Sequence, residues 1–372
     1  VFRKEIAHST TIVVKVGSRI LTSQDNVPHT RRVRSIADSI AFLMRSGKRV
    51  LLVSSGAIAH GMAVLRLEKR PSTIPEKQAC ASLGQIRLMN GYEACFAKHH
   101  IPIGQVLLTW DDLRDKKRYL NLRNTLFTLL DCGAVPIINE NDSVGVEEIR
   151  FGENDTLAAQ LSLLVQADLF VNLTDINGLY DANPAEAKGA RQIPLVENIT
   201  SAIHTMASEN RNEISVGGMA TKLRAAELVT KAGIFALVGD GYHRTLLDVL
   251  SDPKAGTLFL PNRKRMTSRR RWIAFTGQPN GALVIDDGAV RAITQKGKSL
   301  LPAGIRHVVG TFKVGDMVDV QDDGKRTIAR GLVNYSSVEA ERIAGCKTVD
   351  IALRLGQKTF DEIIHRDNLV VL

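Results

Sequence analysis

A chain of 372 residues, 44% hydrophobic and 24% charged, can bury a large core and is long enough for one large domain and a smaller one. Cys80, Cys95, Cys132 and Cys346 are widely spaced with no CxxC pair, and no apolar run reaches the ~18 residues of a membrane span. Neither a zinc knuckle, a disulfide framework nor a spanning helix is suggested, and a cytoplasmic setting is expected because the polar opening VFRKEIAHST lacks a signal-peptide core.

From Thr11 to Val238, short β-branched runs alternate with helical patterns. TIVVKV (11–16), RVLLVS (49–54), IGQVLLT (103–109), AVPIIN (134–139) and DLFVNLT (168–174) read as buried strands. Between the first two, Val33, Ile36, Ala37, Ile40, Ala41 and Met44 recur at three- and four-residue steps and define one helix face. Crossovers of this length join parallel strands, so the expected fold class is α/β: an open, mainly parallel sheet sandwiched by helices. Ligands in such sheets gather at the carboxyl ends of the strands, and chemistry is sought there.

The chain carries neither GxxxxGK[ST] nor GxGxxG, so phosphate must be handled by other means. The first strand ends in KVGSR, which puts Lys15 at its tip and Gly17 in a turn whose backbone amides can approach an anion. Alone, a lysine there is as readily an exposed edge. The second strand runs into SSGAIAHG (54–61), a second anion-friendly turn with Ser55 in it, for which plain capping by a serine is the competing reading. After the fourth strand, NENDSVGVEEIRFGEND (139–155) gathers Asp142, Asn154 and Asp155. A carboxylate cluster of this kind can hold an ammonium or lysines, although Asp155 also suits the cap of the helix TLAAQLSLL. LTDINGLYDANP (173–184) sets Thr174 and Asp175 at the tip of the next strand as candidate nucleotide contacts. SVGGMATK (215–222) leads into a helix with Val216, Gly217, Gly218, Met219, Ala220 and Thr221 as a phosphate lip and Lys222 in its first turns.

After about Gly256 the texture changes. NRKRMTSRRR (262–271) carries six basic residues, and residues 262–372 hold 19 Lys/Arg against 12 Asp/Glu, most of the formal +10. Short apolar segments cut by turn signals follow, in GALVIDDGAV, VGDMVDVQDDGKRTIARGLVNY and DNLVVL, and predict a small β-barrel-like domain. The expected division is a catalytic domain over 9–258, a basic linker over 259–280 and a second domain over 281–372. The basic surplus suits any polyanion and names no partner by itself.

Taken in order, KVGSRILT, VSSGAIAHG, KQACASLGQ (77–85), the NEND to GEND loop, LTDINGLY and GGMATK resemble the amino-acid-kinase family. The likeness is strongest to those members that phosphorylate the side-chain carboxylate of glutamate, and the tail with SLLPAGI (299–305) resembles a PUA domain. The resemblance implies ATP and Mg2+ as cofactors and L-glutamate as substrate. It implies that Lys15 and Lys222 stabilise the transferring phosphoryl group, that Asp155 positions them, and that Ser55, Asp142 and Asn154 bind glutamate. Nucleotide binding falls to Lys15, Thr174, Asp175 and residues 216–222, with no metal ligand assigned. It further implies proline synthesis, feedback inhibition by proline and a homo-oligomer, with RNA binding through the PUA domain as an added activity or, as the alternative reading, the main one. Where the family pattern reads GTGGM, this chain has Val216 in place of the threonine. The loss of one neutral hydrogen bond there weakens nucleotide binding by about 0.5–1.5 kcal/mol.

Overall fold

The computed structural model describes residues 3–22, 29–145, 154–182, 184, 187, 189–209, 218–261, 270, 272–276 and 278–372. Two compact units emerge, Val1–Asp112 with Lys117–Arg265 and Leu113–Lys116 with Met266–Leu372.

In the first unit, β1 (Thr11–Val16), β2 (Arg49–Ser54), β3 (Ile103–Leu108), β4 (Val135–Glu140), β5 (Leu169–Thr174), β8 (Leu195–Val196), β9 (Phe235–Asp240) and β10 (Gly256–Phe259) form one eight-stranded sheet. Its order is β3-β4-β2-β1-β5-β9-β10-β8. The six strands from β3 to β9 run parallel, and β10 returns antiparallel to β9. A short two-stranded ribbon pairs β6 (Leu179–Tyr180) with β7 (Gln192–Ile193). All six residues of β1, β4 and β5 are buried, as a parallel sheet covered on both faces requires. The helix Thr30–Arg45 supplies Val33, Ile36, Ala37 and Ile40 to the core through the face that its spacing predicts.

The observed strands match the five expected ones to within a residue at either end. β9, β10 and β8 extend the sheet beyond them.

Two helices after β2 pack with almost no space between their backbones. A Cβ on Gly61, in the helix Ala57–Leu65, would lie 1.8 Å from the Cys80 carbonyl oxygen. One on Gly84, in the helix Ile74–Phe96, would lie 1.8 Å from the carbonyl of Ala57. Only glycine permits this approach, and it fixes where the helix following Ser55 begins. The long helix is started by a capping box of Thr73 and Glu76.

The second unit has its own core around Leu283, Ile285, Phe312, Val318, Val320 and Ile364. Its strands β11 (Gly281–Ile285), β12 (Ile305–Gly310), β13 (Met317–Gln321), β14 (Thr327–Leu332) and β15 (Leu369–Val371) form a mixed sheet ordered β12-β11-β13-β14-β15. The DDGK turn joins β13 to β14 as an antiparallel hairpin. GALVIDDGAV, read as a cut apolar segment, is β11 followed by the helix Asp287–Thr294, whose start Asp286 caps by accepting from the Ala289 amide at 2.7 Å. Within the expected linker, Ile273 and Ala274 are buried against Met317, Leu332 and Val370.

Candidate active site

The candidate residues sit where the parallel strands end. Lys15 is the penultimate residue of β1, Ser55 follows β2, Asn139 lies near the end of β4, and Thr174 closes β5. Asp155 is the second residue of the helix Asn154–Leu164, and Lys222 is the fourth of the helix Met219–Lys231.

The centre of the site is a buried charge cluster. Lys15 Nζ is 2.6 Å from Asp155 Oδ1, and Lys222 Nζ is 3.7 Å from Asp155 Oδ2. The three side chains are 9%, 7% and 5% exposed, Asp155 least. Asn172, the register partner of Lys15 on β5, donates to Asp155 Oδ1 at 3.0 Å. The Thr221 hydroxyl lies 3.0 Å from Asp155 Oδ2 and 2.9 Å from the Gly218 carbonyl, and can donate to either. Burial alone would raise the Asp155 carboxyl, but the charges of Lys15 and Lys222, with the hydrogen bonds from Lys15 and Asn172, hold it well below the usual carboxylate range. Burial pushes Lys222 down against the upward pull of Asp155, and the neighbouring Lys15 charge adds to the lowering. Two ammonium groups share one carboxylate in a low-dielectric pocket, so the three side chains together carry one positive charge. Such a centre attracts an anion that reaches it.

Beside the charges lies a neutral network. Asn154 donates through Nδ2 to Ser55 Oγ at 2.8 Å and to Asn139 Oδ1 at 3.2 Å, and Asn139 in turn donates to Gln85 Oε1 at 3.0 Å. The Ser54 hydroxyl, fully buried, pairs with Tyr92 OH at 3.0 Å. Asn154 Oδ1 is buried and has no hydrogen-bond partner among the described residues. Asp142 lies in the turn two residues beyond β4.

On the other flank, Thr174 donates to Asp175 Oδ1 at 3.0 Å, and Arg19 reaches Asp175 Oδ2 at 2.7 Å. Burial opposes ionisation of Asp175, yet the Arg19 hydrogen bond and charge, with Thr174, bring it below its ordinary value. Gly178, with φ +84°, turns the chain away after this pair, and a Cβ there would meet Thr257 Oγ1 at 2.5 Å. Gly218 is the N-cap of the lysine-bearing helix, followed by Met219, Ala220 and Thr221 in its first turn. Val216 and Gly217 lie outside the described residues, and so do the departure from the GTGGM pattern and most of the basic run 262–271.

The structure thus gathers Lys15, Asp155, Lys222 and Thr221 into one cluster, Ser55 and Asn154 into a second and Thr174 and Asp175 into a third. The serine-capping reading of the second turn does not hold: the N-cap is Gly56 at φ +104°, with no side-chain cap bond. The turn amides correct another expectation. The Gly17 amide donates to the Leu173 carbonyl and that of Ser55 to Val16, each at 3.2 Å, so neither is available to an anion. The donors left at that turn are those of the first residues of the helix Ala57–Leu65, which have no intrahelical acceptor.

Sequence reasoning gave no role to Asn172, Gln85 or Arg19, and saw Asn139 only as one of the polar residues gathered after the fourth strand. For Asn172 a signal existed, because it is the one polar residue inside an otherwise apolar buried strand before its tip.

The model of the amino acid kinase family matches residues 10–240, and that of the PUA domain matches residues 281–354. A glutamate 5-kinase of Syntrophus aciditrophicus (strain SB) is 47% identical over 362 residues, which span 97% of this chain and 94% of that protein. One from Thermoanaerobacter sp. (strain X514) is 46% identical over 362 residues, 97% of either chain. One from Moorella thermoacetica (strain ATCC 39073 / JCM 9320) is 43% identical over 371 residues, 100% of this chain and 98% of its own.

Proposed function

Since this chain belongs to the amino acid kinase family, we propose that it transfers the γ-phosphoryl group of ATP to the side-chain carboxylate of L-glutamate, forming γ-glutamyl phosphate and ADP as the first step of proline synthesis. The observation that carries the reading is the buried Lys15–Asp155–Lys222 cluster at the strand ends, flanked by the Ser55–Asn154 network.

The nucleophile is a carboxylate, ionised at neutral pH, so the reaction needs no general base. Catalysis then reduces to alignment of the two substrates and neutralisation of the charge on the transferring group. Lys15 and Lys222 supply that neutralisation from opposite sides of Asp155, which holds both ammonium groups in place and is itself held by Asn172. Because the lysines are desolvated before substrate arrives, little reorganisation accompanies phosphoryl transfer. Ser55 and Asn154 orient the glutamate, and the Asp142 carboxylate serves its ammonium group. Thr174, Asp175 and residues 216–222 receive the nucleotide.

Among the described residues, no group of three or more His, Cys, Asp or Glu could hold a metal. The site's Asp155 and Asp175 already face cations. Mg2+ would be held here mainly through phosphate oxygens and water, its usual coordination.

The proposal extends to a cytoplasmic location, in keeping with four free cysteines, to proline as a feedback ligand at the glutamate end and to a homo-oligomer. RNA binding by the PUA unit is proposed as an added activity, because a scaffold used only to bind RNA has no need of a buried cluster of three charges. Among the described residues, no helix is long and apolar enough to cross a membrane.

The test is coupled ADP release with ATP and Mg2+, comparing glutamate, aspartate and acetylglutamate, with hydroxylamine present to trap an acyl phosphate. Glutamate-dependent turnover that yields the hydroxamate is expected. Equal or greater turnover with acetylglutamate would overturn the substrate assignment.

A further inference from the structure

Away from the site just described, three helices of the first unit enclose a cleft of about 520 Å³, a size typical of small-molecule sites. Each helix contributes one face at three- and four-residue spacing: Thr30, Val33 and Arg34 from the first, His60, Ala63 and Val64 from the second, and Arg87, Gly91, Ala94 and Cys95 from the third. Lys98, in the turn after the third helix, completes the wall. Gly91 and the two alanines make the room, and a Cβ added at Gly91 would touch nothing within 4 Å.

The charge of this cleft is one-sided. Arg34, Arg87 and Lys98 line it, and no carboxylate does. None of the three has an ion-pair partner among the described residues. Asp38, whose charge reaches Cys95, is itself engaged by His99 Nε2 at 2.6 Å. Convergence is visible at the Cys95 thiol: burial raises it, while the charges of both Lys98 and Arg34 draw it down and that of Asp38 opposes them. Like charges brought together around a concave surface repel one another and focus a positive potential into it. An anion relieves that repulsion, and the guanidinium groups match carboxylate or phosphate oxygens in pairs. At the floor, His60 is buried and donates through Nδ1 to the carbonyl of Gly56 at 2.9 Å.

We propose that this cleft is a second ligand site, separate from the Lys15–Asp155–Lys222 centre, that takes a small multivalent anion bearing carboxylate or phosphate groups. The site is independent of which substrate the enzyme phosphorylates.

Cys95 provides a readout that does not depend on activity. The full chain is treated with a maleimide, without nucleotide or Mg2+, at fixed ionic strength, and alkylation of Cys95 is compared by peptide mass spectrometry with that of the exposed Cys132. Citrate and inorganic pyrophosphate are the probes, and the stronger protector identifies the preferred oxygen chemistry. A probe at ten times its dissociation constant should slow Cys95 alkylation about tenfold by mass action and leave Cys132 unchanged. Arg34→Glu with Arg87→Glu, both at exposed positions, should abolish the protection. Gly91→Leu should do so by filling the cleft with the charges intact. If neither probe protects Cys95 at millimolar concentration, or if protection survives in the double variant, the proposal is overturned.

Discussion

At the proposed phosphoryl end of the site, Lys15, Asp155 and Lys222 are charged and each less than a tenth exposed. At the proposed glutamate end, the chain Gln85–Asn139–Asn154–Ser55 is neutral, and its bonds run from 2.8 to 3.2 Å. The two ends respond differently to the loss of a member. A buried charge without its partner keeps its full desolvation cost, so the three ionic groups stand or fall together. A neutral hydrogen bond contributes only about 0.5–1.5 kcal/mol, so amides and hydroxyls can be removed one at a time.

The largest expected effect comes from Asp155→Asn, which keeps the shape and removes the carboxylate that Lys15 and Lys222 share. Loss of one partner from such a cluster costs about 3–5 kcal/mol, read as a lower midpoint in thermal or urea unfolding of the first unit. The pH dependence follows from the same carboxylate. Its folded-state pKa lies below the unfolded value, so its stabilisation is complete above about pH 5 and is lost as pH falls through the unfolded value of ~3.9 toward the folded one. The wild-type protein should lose stability on acidification more steeply than Asp155→Asn. Parallel acid profiles would mean that the cluster is solvated, and the contrast between the two ends would disappear.

Next in size is Lys222→Ala, which removes one preorganised cation from the transferring phosphoryl group. A fall in kcat of about 10²–10³ is expected, with the KM for glutamate little changed. A variant with near-normal kcat would leave Lys222 as a structural partner of Asp155 and nothing more.

The meeting of Lys15, Asp155 and Lys222 was legible in the sequence because each follows a recognisable strand or opens a recognisable helix, and a resemblance in motif order tied them together. The strands were legible for a related reason: buried parallel strands are continuous β-branched runs, and β1, β2, β4 and β5 are of that kind. What escaped was set by partners far away in the chain. Asn172 matters because β5 lies beside β1 in register with Lys15, and Gln85 because its helix passes close to Asn139. The contacts at Gly61 and Gly84 depend on two helices meeting backbone to backbone, and no local pattern announces that. The amides of Gly17 and Ser55 show the opposite error. Small residues after a strand looked open to an anion, yet both donors return to neighbouring strands.

The neutral end sharpens the comparison from below. Asn154→Ala removes the donor to Ser55 and Asn139 together with the unpartnered Oδ1, and Ser55→Ala removes one acceptor. Each should raise the KM for glutamate by about three- to tenfold, the range that one neutral hydrogen bond supports, with kcat retained. A matching fall in kcat would instead place Asn154 in the transition state and blur the division of labour.

The smallest effect is expected at Arg19, whose side chain is about half exposed where it meets Asp175. Solvent screens such a pair to about 0.2–1 kcal/mol, so Arg19→Ala should weaken ATP binding by no more than about fivefold and leave the thermal midpoint unchanged. Nucleotide titration by fluorescence or calorimetry separates the outcomes. A loss of a hundredfold or more would show that Arg19 touches phosphate directly, and it would then belong with the charges of the phosphoryl end.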